Sequence, residues 1–195
     1  MKAIVDEAHR RKKGATTHAH GAEAIKMAVR AGVESIEHGS ILDEEGIQMM
    51  KERGTVLVSD LVTSEWILAN GAKNNFTAGS MARARILDPV HQASFRKAVA
   101  GGVTIAFGTD AGTMSHGAAT ARQFTLFVEH GMTPLQALQS ATTSAAALLK
   151  WSDQIGAIEP GKFADLVGVR ENPLANPATL ENVAFVMKGG DVVER

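Results

Sequence analysis

Short β-rich runs alternate with helical segments of about ten residues along the first 110 positions, and most changeovers fall at or beside a glycine. Apolar spacing predicts helices over 2–13, 22–31 and from the Asp43 cap to Gly54. It predicts strands over 15–18, 33–37, 55–61 and 103–107. Strands joined by single helices through brief turns imply right-handed βαβ units and a parallel sheet. Between them, 62–75 lacks a clean period and reads as a long loop. Helices are expected at 78–87 and 89–100, then at 118–130 and from the Thr133 cap to Lys150. After Trp151 the character changes to short β segments between Gly, Pro and Asn turns, with Lys188-Gly189-Gly190-Asp191 as a hairpin turn. The expected organisation is an α/β part over 1–150 and a segment of a small β domain over 151–195.

The 195 residues suffice for a sizeable core, but a complete (β/α)8 barrel takes about 250. With 20 basic and 21 acidic residues the formal net charge is −1, and no run of like charge offers a footprint for nucleic acid or anionic membrane. No apolar stretch could span a bilayer, and the N-terminus lacks the apolar core of a signal peptide. The sequence as it stands reads as cytoplasmic, with an upstream leader left open. Without cysteine, any metal must be held by imidazole and carboxylate.

Three polar clusters share one context, the C-terminal end of an expected parallel strand: His18 and His20 in ATTHAHG, Glu37 and His38 in SIEHGS, and Thr109 and Asp110 in IAFGTDAG. Parallel α/β sheets build their sites where strands end, so side chains distant in sequence are aimed at one centre. Each cluster alone has a plainer reading, a hydrogen-bonded histidine or an Asp in a tight turn. Their conjunction points to a divalent metal, and His with Asp suits Zn²⁺, Mn²⁺ or Fe²⁺ better than Ca²⁺ or Mg²⁺. His116, in the loop after the Asp110 strand, is a candidate for touching substrate. Asp60 also lies near a strand end, whereas His91 falls in a helical pattern and reads as a packing residue.

The motifs HAHGAEAIKMAVRAGVESIEHGS, AFGTDAG, EHGMTPLQALQSATTSAAALL and IGAIEPGKFADLVGV, with VMKGGDVV near the end, resemble the amidohydrolase superfamily. Within it they resemble the imidazolonepropionase-like and Xaa-Pro dipeptidase-like branch. The resemblance implies the C-terminal half of a (β/α)8 TIM barrel, about four βα units, plus part of a β-sandwich. It implies His18, His38 and Asp110 as ligands of a divalent metal, Zn²⁺ first, from the fifth, sixth and eighth strands. Asp110 is then also the proton shuttle of a metal-activated water that hydrolyses a C–N bond. His20 and His116 would contact substrate or support a ligand. Substrates would be small amides, dipeptides or N-acyl amino acids; deamination of a ring amine uses the same ligands.

The departures from the family pattern carry equal weight. The chain has neither the HxH motif of the first strand nor the bridging lysine of the fourth, so one metal site is expected here and a second needs the missing N-terminal half. It reads VSDL where relatives often carry Pro-Thr, and Gln123 stands where an acid is common. Half a barrel leaves two strand edges and an apolar interior uncovered, which implies self-association or pairing with an N-terminal half. The alternative function is therefore a catalytically incomplete fragment or assembly module.

Overall fold

A computed structural model of the chain describes residues 1–112, 114 and 118–193. They form two compact units, Met1–Asp110 and Ala111–Arg195.

The first unit contains α1 (Lys2–Arg10), β1 (Thr16–Ala19), α2 (Ala22–Ala31), β2 (Ser35–His38), α3 (Glu44–Arg53) and β3 (Val56–Ser59). It continues through α4 (Leu61–Asn70), a 3-10 turn (Gly71–Asn74), α5 (Ala78–Gly101) and β4 (Ile105–Phe107). The four strands pair in chain order, all parallel, with His18 opposite Glu37, Glu37 opposite Val58 and Val58 opposite Ala106. Ile36 and Leu57 point away from that row, toward the helices, and are sealed there with Ile25, Val29, Met50, Phe95 and Ala98. Each of these side chains other than Ala98 contributes about 1.5–3 kcal/mol by leaving water. Asp43 caps α3 by accepting from Gly46 N at 2.7 Å, and its other oxygen takes Lys26 Nζ at 2.9 Å, which ties α2 to α3.

The opposite sheet face is polar at β1 and β2 and carries Val56, Val58 and Ala106 at β3 and β4. Ser35 Oγ lies 2.8 Å from both Thr16 Oγ1 and the Glu37 carboxylate, which also accepts from Thr16. Val56 and Val58 are only half-buried there, and Thr104 is exposed. The hydrogen-bonded polar row on β1 and β2 tolerates water, whereas Val56 and Val58 are the apolar part of this face.

Two helical expectations change. The stretch expected as a loop is α4 plus the 3-10 turn: Leu61 and Val62 are buried, while Thr63 and Ser64, which spoil the apolar period, line a cavity. The two helices expected around Pro89 are one, α5, with the proline inside it. Buried residues on both sides of Pro89, Met81 and Ala84 before it and His91, Ser94, Phe95 and Ala98 after it, hold the axis together despite the missing hydrogen bond.

The second unit holds α6 (Ala118–Glu129), α7 (Pro134–Ala141), α8 (Thr143–Leu148), β5 (Leu166–Gly168), a 3-10 turn (Pro177–Glu181), β6 (Phe185–Lys188) and β7 (Asp191–Val193). A capping box of Thr133 and Gln136 starts α7. Thr142, with φ −120° and ψ −91°, then divides what the sequence suggests is one helix into two. The three strands are antiparallel in the order β5-β6-β7, and the Lys188–Asp191 pairing closes the expected hairpin. α6 packs on the 3-10 turn that precedes β6, which places this helix in the unit of the small sheet.

Gly39, just past β2, tests how tightly the first unit is built. Its φ is +62° and a Cβ there would collide with Leu57 Cδ1, whereas Gly54, at φ +68°, has open space. Ala at either position meets the left-handed penalty of about 1–2 kcal/mol. Gly39→Ala should cost a further ~1–3 kcal/mol from overpacking. Urea denaturation that gave equal losses for Gly39→Ala and Gly54→Ala would contradict this packing.

Candidate metal centre

The parallel pairing gathers every C-terminal strand end on one rim, and the polar clusters follow. The His38 ring stacks with two others. Its centroid is 5.0 Å from that of His18 and 4.5 Å from that of His20, with interplanar angles of 29° and 15°. His18 Nδ1 is 2.8 Å from His38 Nε2, and His20 Nδ1 is 2.9 Å from Ser40 Oγ. On its other side His38 Nδ1 lies 3.0 Å from Asp60 Oδ1. One ligand atom each from His38, Asp60 and Asp110 come within 4.8 Å of one another.

Asp60 occupies the N-cap position of α4, where an aspartate normally accepts from the helix, yet its side chain makes no capping bond. It turns instead toward His38. Its Oδ1 is buried and, although close to the imidazole, has no aligned hydrogen bond. A buried carboxylate oxygen is costly to leave unpaired, and a cation is the partner this one lacks. The donor set of imidazole and carboxylate without thiolate suits a borderline divalent ion. The residues therefore fit a metal.

Backbone strain marks the same place. Among the described residues five non-glycines have positive φ, and Lys12, Asn75 and Lys150 follow helical turns, where left-handed caps are common. The other two are His38 at 72° and Asp110 at 45°. Such conformations cost on the order of 1–3 kcal/mol and persist where surrounding structure imposes them. For His38 that structure is α5. His91 Nε2 donates to His38 O at 2.9 Å and lies 3.1 Å from Ser59 Oγ. One turn on, Ser94 Oγ donates to Gly39 O at 2.9 Å and accepts from Leu42 N at 2.7 Å.

Electrostatics follow the geometry. Asp60, hydrogen-bonding distance away, raises the His38 pKa against the opposing effect of burial. Burial alone would raise Asp60, but the contact with His38 and the nearby His91 hold it below its ordinary value. Burial lowers His20, with His38 adding repulsion, and burial likewise lowers His91. Ligands bind metal unprotonated, so a cation at this site competes with the proton on His38.

Of the residues singled out in the sequence, His38 and Asp110 come together, His18 adjoins them through His38, and His20 also stacks on His38. His116 lies outside the described residues. Asp60 is drawn into the cluster more fully than its position suggested, and the clamp by His91 and Ser94 was not legible. A strand-end Asp that fails to cap the next helix is a usable signal; a histidine in the middle of a long helix gives none.

Comparison with known proteins fits this arrangement. The amidohydrolase family model matches residues 1–193. The chain belongs to the amidohydrolase family. It is 35% identical over 195 residues to ochratoxinase of Aspergillus niger, covering 97% of this chain and 40% of that one. To imidazolonepropionase of Cutibacterium acnes it is 32% identical over 152 residues, covering 75% of this chain and 32% of the relative. A solved Xaa-Pro dipeptidase with methionine bound in its active site superposes over the whole chain with a TM-score of 0.90 at 41% identity, covering 48% of that structure. The amidohydrolase chain thus spans half or less of the relatives it matches. Its four parallel strands correspond to part of their TIM barrel, and the antiparallel sheet belongs to the second unit.

The clamp makes its own prediction. Ser94→Ala strands two buried backbone groups and should cost about 2 kcal/mol in urea denaturation. It should also weaken Zn²⁺ binding measured by competition with a chromophoric chelator. Zn²⁺ affinity unchanged in a destabilised variant would mean that α5 does not set the position of His38.

Proposed function

We propose that the protein is a metal-dependent amidohydrolase that cleaves a C–N bond in a small amide, dipeptide or N-acyl amino acid. The observation that carries this reading is the buried Asp60 oxygen without an aligned partner, facing His38 and Asp110 at the strand ends. Its family membership and its likeness to a dipeptidase that holds methionine support it. The ligands we assign are His18, His38 and Asp110, with Asp60 Oδ1 as a further carboxylate donor at the same point, and Zn²⁺ is the ion that best suits them. A divalent cation bound there would lower the pKa of water and polarise the scissile carbonyl.

The chain's own residues supply the rest. Asp110, exposed at the rim, accepts the proton of the attacking water and returns it to the leaving nitrogen. His20, kept neutral by burial and anchored on Ser40, contacts substrate beside His38; His116 is assigned the same role from sequence. We assign 1–150 to the barrel part and 151–195 to the sandwich part by family correspondence, although the contacts divide the chain after Asp110. No described helix is long and apolar enough to cross a membrane, and we propose action on small molecules in the cytoplasm.

A second reading rests on a specific observation. Among the described residues the parallel sheet ends at β1 and β4, and the family's first-strand HxH motif and bridging lysine are not among these 195 residues, so we propose that full activity needs complementary strands from a second copy or another segment. By itself the chain would then be an assembly module.

Elemental analysis after Zn²⁺ loading and hydrolysis of an N-acyl amino acid panel test the first reading. Asp110→Asn is expected to lower kcat by about 10²–10⁴-fold with KM little changed. Neither metal nor hydrolysis in this chain, alone or joined to complementary strands, would rule it out. Turnover by a monomer of this chain would rule out the second.

A further inference from the structure

Of the donors that converge at the strand ends, His38 and Asp110 both have strained backbones, and the clamp from α5 accounts only for His38. Asp110 calls for a restraint of its own. One carboxylate oxygen of Asp110 lies within 4.8 Å of one from Asp60. Two carboxylates that close repel each other, and Asp110 is exposed, so packing does little to keep its side chain there.

The restraint comes from α4. Thr63 Oγ1 donates to Thr109 O at 2.5 Å, across 46 residues of sequence. That oxygen belongs to the peptide joining Thr109 to Asp110, so the bond fixes the plane about which the Asp110 φ is measured. On the strand side the chain is pressed against β3, where a Cβ on Gly108 would lie 2.4 Å from Val58 Cγ1. Sterics at Gly108 and a hydrogen bond at Thr109 then lead directly into φ 45° at Asp110.

Thr63 also bears on Asp60. It is the third residue of α4, the position whose N–H an aspartate cap ordinarily takes. Here that N–H goes to the main-chain oxygen of Asp60, at 3.0 Å. The Asp60 carboxylate is thereby released from capping, and its Oδ1 lies 3.0 Å from His38 Nδ1. One threonine thus bonds to the backbone beside each acid, with its N–H at Asp60 and its hydroxyl at the peptide before Asp110.

We propose that Thr63 is a positioning residue that sets the spacing of Asp60 and Asp110, so that both carboxylates can serve one cation. This rests on the metal-dependent hydrolase reading given above and adds a residue to it. Thr63 acts through the peptides it holds and not as a ligand. Serine can make the same hydroxyl bond, whereas valine has the shape of threonine and cannot.

The test is Zn²⁺ binding by the full chain, measured by competition with a chromophoric chelator. Thr63→Val is expected to weaken binding about 10- to 100-fold, the usual effect of removing a group that orients a ligand. Thr63→Ser should restore most of that loss. Gly54→Ala strains a turn at the other end of β3 and serves as a destabilised control that should bind Zn²⁺ like the parent. Urea midpoints recorded for all three variants separate lost folding from lost positioning. Parent-like Zn²⁺ affinity in Thr63→Val, a loss that serine does not restore, or an equal loss in Gly54→Ala overturns the assignment of Thr63, while metal-dependent hydrolysis by the parent leaves the hydrolase reading intact. A parent chain that binds no Zn²⁺ also overturns the assignment, and the hydrolase reading falls with it only if hydrolysis is absent as well.

Discussion

His38 holds a left-handed backbone conformation at the end of β2, and the rest of the site is arranged around the fact that it stays there. A histidine gains nothing intrinsic from φ 72°, so the conformation must be imposed. The imposing element is α5, which gives up His91 and Ser94, both buried, to the carbonyls of His38 and Gly39. Gly39 then permits the close approach of Leu57, so the turn is fixed by sterics on one side and by hydrogen bonds on the other. Once that turn is set, the His38 ring can meet His18, His20 and Asp60 together. An ordinary strand residue would alternate back toward the helices, as Ile36 does.

The charges reinforce this geometry only in part. His38 and Asp60 favour each other's ionised forms, which stabilises a proton where the proposed chemistry wants a lone pair. A divalent cation held between this buried carboxylate and imidazole would compete with the proton on His38. Asp110, by contrast, is exposed and strained, the state suited to a group that must exchange protons with water and substrate. The two acids of one cluster thus face different environments, one buried and one exposed.

Much of the fold could be read from the sequence because period and punctuation agree in β1 to β3 and in the helices between them. Ile25 and Val29, or Ile47 and Met50, recur at helical spacing, and glycines close the turns. The reading failed where a residue's polarity served a cavity instead of a surface. Thr63 and Ser64 look like loop residues because they interrupt the apolar stripe of α4, yet they sit in a helix facing the site. Pro89 looks like a helix boundary because local rules know nothing of the partners that bury α5 on both sides of it. The candidate site was legible to the extent that strand ends are: His18, His38 and Asp110 announce themselves by following strands. His91 and Ser94 act on a backbone more than 50 residues away, a relation that no local spacing encodes.

The division of labour in the first unit follows from how a parallel sheet is built. Strand ends are rigid because each is hydrogen-bonded to its neighbours, so groups that must converge on one ion are best placed there. The segment after β3 is under no such constraint. It runs through α4, a 3-10 turn and a 24-residue α5 before the chain returns to the sheet as β4, far longer than the single ten-residue helices that link the earlier strands. That excursion does two things at once. Its inner half clamps the β2 turn, and its outer half closes a cavity with apolar side chains and Arg83. The strand ends and the cavity wall are thus set by different parts of the chain, and along α5 the cavity-lining Arg83 lies two turns away from His91.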